Sequence, residues 1–145
     1  MAVRSANAVW EGGLKDGQGT MALGSGAYEG RYSFGSRFEE GPGSNPEELL
    51  GAALAGCFSM ALAGALGRAG FPPQRVATAA KVHIEKLPAG GFGVTRIELA
   101  SEAQVPGIDD AAFQEHARQT KETCPVSKAL AAVEIALDAR LAASP

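Results

Sequence analysis

A chain of 145 residues, 46% hydrophobic and 20% charged, is long enough for one domain with a real core and too short for two ordinary ones. Its net charge of −3 and isoelectric point near 5.4 argue against nucleic acid or an anionic membrane as partner. Two cysteines and two histidines, scattered along the chain, form no metal-type spacing, so no metal is expected.

Met1-Ala2-Val3-Arg4-Ser5 is followed by no apolar run of the secretory kind. A cytoplasmic address is expected, where a cysteine pair is reactive or incidental rather than a permanent staple. Residues 7–13 and 17–24 read as two short strands around a glycine-rich turn. Residues 30–36 read as a third extended piece, alternating Tyr32 and Phe34 with Arg31 and Ser33. The next stretch, Arg37 to Ser44, reads as a loop, and the opening third as an antiparallel meander.

Asn45 is a good N-cap, Pro46 suits the first helical position, and Glu48 stands where a capping box places its carboxylate. From Leu49 to Leu66 nearly every residue is apolar or tiny, and Gly70 with Pro72-Pro73 ends the run. A helix that is apolar on all sides is normally buried on all sides. Its length is near the lower limit for a membrane span, but Gly51, Gly56, Ser59 and Gly64 dilute it, so a core helix is expected.

Period-two alternation follows: Val76, Thr78, Ala80, Val82 and Ile84 share one face. After a turn at Pro88–Gly91 a second strand runs from Val94 to Val105, broken by Pro106-Gly107. Asp109 or Asp110 caps a helix to about Thr123, with Phe113, His116, Ala117 and Thr120 on one stripe. Cys124-Pro125 opens a short helix to about Ala132, and Val133 to Leu141 alternates like a strand with one wet face. The fold class expected is α+β, with largely antiparallel sheets packed around a long buried central helix, in one domain over 1–145.

Cys57, in the middle of the apolar helix, reads by itself as a small core hydrophobe. Cys124 stands at a helix start, where backbone N–H groups favour a thiolate. Arg37 is the nearest upstream cation to Glu47, which has no capping task of its own. A solvated ion pair is the ordinary reading. The functional one is a guanidinium, held by Glu47, that ionises a buried thiol. His83 and His116 read as ordinary surface or core-edge residues, and Trp10 as core.

Arg37-Phe38-Glu39, Gly43-Ser44-Asn45-Pro46-Glu47-Glu48-Leu49, Ala55-Gly56-Cys57-Phe58-Ser59-Met60, Val105-Pro106-Gly107-Ile108 and Cys124-Pro125-Val126-Ser127 together resemble the OsmC branch of the OsmC/Ohr family. The resemblance runs over essentially the whole chain, with Gly56 and the Gly41–Ser44 loop as small departures. It implies a thiol peroxidase that reduces organic hydroperoxides to alcohols, with Cys57 as the peroxidatic and Cys124 as the resolving cysteine. It further implies that Arg37 activates the thiolate and Glu47 orients Arg37. It implies an intertwined homodimer with sites at the interface, no cofactor, and an external dithiol reductant of lipoyl type. Two other readings stay open: a redox-sensing or small-molecule-binding module with a regulatory cysteine pair, and a structural protein with inert thiols.

Overall fold

The computed structural model describes residues 1–143 and is α+β. The chain divides into two compact units, with the boundary between Leu49 and Leu50.

In the first unit β1 (Ala6–Glu11), β2 (Gln18–Leu23) and β3 (Glu29–Tyr32) form an antiparallel sheet in that order, the expected meander. Gly19 on β2 pairs with both Trp10 and Tyr32, whose rings lie 5.3 Å apart across it. A Cβ at Gly19 would stand 2.6 Å from the Tyr32 ring and 2.5 Å from the Val9 carbonyl oxygen. Only glycine leaves room for that ring pair.

The extended reading of residues 30–36 and the loop reading of Arg37 need correction. The strand stops at Tyr32, and Phe34–Phe38 form a short helix, α1. Ser33 Oγ accepts from the Ser36 N–H at 3.1 Å, while the Ser33 N–H donates to Ser36 Oγ at 2.8 Å. This reciprocal cap satisfies donors locally and outcompetes continued strand pairing. Asn45 then ties the next helix to α1: its Oδ1 accepts from the Glu48 N–H at 2.8 Å, and its Nδ2 donates to the Ser36 carbonyl at 3.1 Å.

That helix, α2, is continuous over Pro46–Arg68. It ends as the sequence demands, with Gly70 at φ +91°. The Phe71 N–H bonds the Leu66 carbonyl and the Gly70 N–H that of Gly67, the paired bonds of a Schellman stop.

In the second unit β4 (Arg75–Lys86), β5 (Phe92–Gln104) and β6 (Glu134–Leu141) form a sheet in that order. β4 and β5 are antiparallel. β6 runs parallel to β5, because α3 (Asp110–Thr123) and α4 (Pro125–Ala129) carry the chain back before it re-enters. Asp109 caps α3 by accepting from the Ala112 N–H at 2.8 Å.

Leu54, Phe58, Leu62 and Leu66, one residue per turn of α2, are fully buried with Ile97 and Leu99 of β5 and Phe113 and Ala117 of α3. Burial on all sides is not what α2 shows within this chain. Ala52, Ala53, Gly56 and Met60 are exposed, Met60 at 81%. By length and composition alone α2 is also apolar enough to cross a membrane. Its Leu and Phe stripe packs on the sheet as a core helix does. A chain of hydroxyls links the two layers: Ser59 Oγ donates to Thr78 Oγ1 at 2.7 Å, and Thr78 Oγ1 donates to the buried Ser101 Oγ at 3.0 Å.

Candidate active site

Cys124 ends α3 and begins α4, and Pro125 explains the break. A residue before proline is pushed out of the helical region, and Cys124 has φ −54° and ψ 129°. Its N–H still closes the last turn of α3 on the Thr120 carbonyl at 2.9 Å. The side chain is thereby held in the core at 1% exposure. Across from it α2 presents Cys57, half-buried beside Phe58, and the two sulfurs are 2.8 Å apart. Residues 67 positions apart in sequence thus meet as two free thiols.

The surroundings treat the two thiols differently. Burial pushes the Cys57 thiol up, the neighbouring Cys124 sulfur adds to this, and the Val126 N–H works against it. Burial also opposes ionisation of Cys124. The Cys57 S–H, the Ser127 N–H, the Ser127 hydroxyl and the Val126 N–H outweigh that, and Cys124 lies below the ordinary thiol value. Among the groups that shift Cys57 there is no cation.

The expected Arg37–Glu47 pair is formed. Arg37 Nε donates to Glu47 Oε1 at 3.0 Å and to Oε2 at 3.2 Å, and Nη2 donates to Oε1 at 2.7 Å. The guanidinium also lies over the Phe38 ring, 5.1 Å from its centroid. Glu47 is 7% exposed in the first turn of α2, where a carboxylate is favoured by the helix dipole. Because α2 is continuous, Glu47 and Cys57 are ten positions apart (57 − 47), about 15 Å along the axis and about 80° around it. Arg37 of α1 thus pairs with Glu47 of α2, and Cys57 of α2 with Cys124 at the start of α4.

His83 lies 2.7 Å from Glu98 in an exposed pair on the sheet, and that hydrogen bond holds the Glu98 carboxyl below its usual range. Among the described residues no cluster of three or more His, Cys, Asp or Glu is placed to hold a metal ion. The residue that the sequence reading passed over is Ser127, three positions after Cys124. The available signal was its spacing, that of a capping box with cysteine at the N-cap.

Residues 39–138 match the family model described as OsmC-like protein, a span that contains Glu47 and both cysteines and begins just after Arg37. The chain is 48% identical over 139 residues to Peroxiredoxin OsmC of Escherichia coli (strain K12), covering 95% of this chain and 96% of that one. It is 36% identical over 90 residues to an organic hydroperoxide resistance protein of Xanthomonas axonopodis pv. citri, covering 61% of each. A crystal structure of an organic hydroperoxide resistance protein OsmC from Legionella pneumophila has a TM-score of 0.74 at 22% identity, covering 97% of this chain and 99% of that one. An OsmC-like protein from Mycoplasma pneumoniae has a TM-score of 0.75 at 16% identity, covering 98% and 99%. These two structures share the fold.

Proposed function

The chain belongs to the OsmC-like protein family, and on that premise we propose that it is a cysteine-based peroxidase that reduces organic hydroperoxides to alcohols. The names of its relatives, a peroxiredoxin and organic hydroperoxide resistance proteins, support the reaction class. The observation that carries the mechanism is the 2.8 Å approach of Cys57 and Cys124. The Cys57 thiolate attacks the distal oxygen of ROOH, the O–O bond breaks, and RO⁻ takes a proton to leave as alcohol. Cys57 becomes a sulfenic acid. The Cys124 thiolate attacks that sulfur, hydroxide leaves and takes a proton, and a Cys57–Cys124 disulfide forms. An external dithiol, of lipoyl type by the family resemblance, returns both thiols by exchange and is itself oxidised to a disulfide. The apolar surroundings of Cys57 on α2 favour alkyl or aryl peroxides over H₂O₂, and a reducing cytoplasm suits a disulfide that must reopen.

Cys57 as nucleophile needs a cation that the groups shifting it in one chain do not supply. We assign that cation to Arg37, oriented by Glu47, of a second subunit in a homodimer whose α2 helices run antiparallel. The separation of Glu47 from Cys57 along α2 supports this. So do the exposed Ala52, Ala53 and Gly56, small enough for two helices to approach closely. The whole chain is read as one domain of the family, supported by solved structures that cover nearly all of it.

The test is peroxide consumption with cumene hydroperoxide against H₂O₂, each with dihydrolipoamide and with a monothiol. Sustained turnover, fastest with the organic peroxide and the dithiol, is expected. A single oxidation event per protein, even with excess dithiol, indicates a redox switch instead.

A further inference from the structure

We propose that the Ser127 hydroxyl is the hydrogen-bond donor that stabilises Cys124 as a thiolate, both when it attacks and when it leaves. The proposal rests on the resolving role given to Cys124 above. Ser127 is 6% exposed, and its Oγ is fully buried with no well-formed hydrogen-bond partner among the described residues. Buried hydroxyls are normally paired, so an orphan needs an explanation. Its position supplies one. Cys124 is the N-cap of α4 and Ser127 the third residue of that helix, the spacing at which a side chain reaches back to the cap residue.

The Cys124 sulfur makes no cap hydrogen bond as a neutral thiol, which is a poor acceptor. A thiolate is a strong one. Ionisation gives the Ser127 hydroxyl the partner it lacks, alongside the N–H groups of Ser127 and Val126, which also favour the charged sulfur. Pro125 has no N–H to offer, so the side-chain donor replaces one that the backbone cannot provide. Of the groups that shift Cys124, the one that itself titrates is Cys57.

The donor acts at two steps. As Cys124 S⁻ attacks the Cys57 sulfenic sulfur, the S–S bond forms while hydroxide departs, and the hydroxyl raises the thiolate fraction from which attack begins. When the dithiol thiolate attacks the Cys57 sulfur of the disulfide, the S–S bond breaks and Cys124 leaves with the electron pair. The same hydroxyl receives that charge.

Ser127→Ala tests the assignment with readouts that a packing role does not move. In a Cys57→Ser background Cys124 is the sole cysteine, and thiolate ultraviolet absorbance against pH reads its titration. Ser127→Ala is expected to move the midpoint up by about one unit, about tenfold in the thiolate-to-thiol ratio. With both cysteines present and one equivalent of organic hydroperoxide, the variant is expected to form sulfenic acid at the wild-type rate. It should then close the disulfide about threefold more slowly, since the smaller thiolate fraction is partly offset by the greater nucleophilicity of a thiolate of higher pKa. Its Tm should not fall, since the change removes an unpartnered buried hydroxyl. An unmoved titration with an unchanged closing rate overturns the proposal. So does a lowered Tm with an unmoved titration, which assigns Ser127 to structure alone. If wild-type protein closes no Cys57–Cys124 disulfide, the resolving role has failed, and the Cys57→Ser titration still decides whether Ser127 stabilises the thiolate.

Discussion

Arg37 and Glu47 are locked to each other through a guanidinium fork, with the shortest contact 2.7 Å from Nη2 to Oε1. Both nitrogens on that edge point at the carboxylate, and the fork is rigid and always charged. A cation fixed in this way stabilises an anion brought to it without reorganising.

Replacing Arg37 by Met is therefore expected to slow peroxide reduction by roughly 100-fold, as losing one preorganised charge partner does. The effect on stability should be smaller, because the Arg37 side chain is 37% exposed. Burial raises the Cys57 thiol and a cation lowers it, so removing the cation moves the pH midpoint of Cys57 alkylation upward. An alkylation curve that stays in place would show that Arg37 does not serve Cys57.

Shared sites make a prediction about mixed subunits. A Cys57→Ser chain retains Arg37 and Glu47, and an Arg37→Met chain retains Cys57. Co-refolded heterodimers should recover about half of the wild-type sites, by counting intact pairs under twofold symmetry. No recovered activity, with heterodimers shown to be present, means that each site is built within one chain.

Much of this was legible in the sequence where one residue decides local geometry. Asn45-Pro46 marks the start of α2, Gly70 its stop, Asp109 the start of α3, and Cys124-Pro125 the break before α4. Helix α1 was not legible, since Tyr32 and Phe34 alternate like a strand and the Ser33–Ser36 exchange overrides that pattern. Nor was the parallel entry of β6, which depends on how α3 and α4 carry the chain back. Hydropathy marks α2 as apolar all round but cannot say which faces this chain covers, and Met60 is left exposed. The residue chemistry of Cys57 and Cys124 did not pair them; the family resemblance did, and the fold sets them 2.8 Å apart. Ser127 escaped because nothing in the sequence says that its hydroxyl is buried with no well-formed hydrogen-bond partner among the described residues.

The hydroxyl chain from α2 to the sheet bears on stability. Thr78→Val removes the acceptor of Ser59 and the donor to Ser101, which is 1% exposed. Leaving buried groups unpaired costs about 1–3 kcal/mol. The urea midpoint should fall accordingly, and adding Ser101→Ala should restore part of the loss. An unchanged midpoint in the single variant would mean that the chain of hydroxyls contributes nothing net.

The most direct test of the account is the intact mass of two variants after one equivalent of organic hydroperoxide. Cys124→Ser is expected to gain one oxygen atom as a sulfenic acid on Cys57 and to form no intramolecular disulfide. Cys57→Ser is expected to gain none and to have no peroxidase activity. Oxygen gained by Cys57→Ser but not by Cys124→Ser would contradict the assignment and make Cys124 the peroxidatic cysteine.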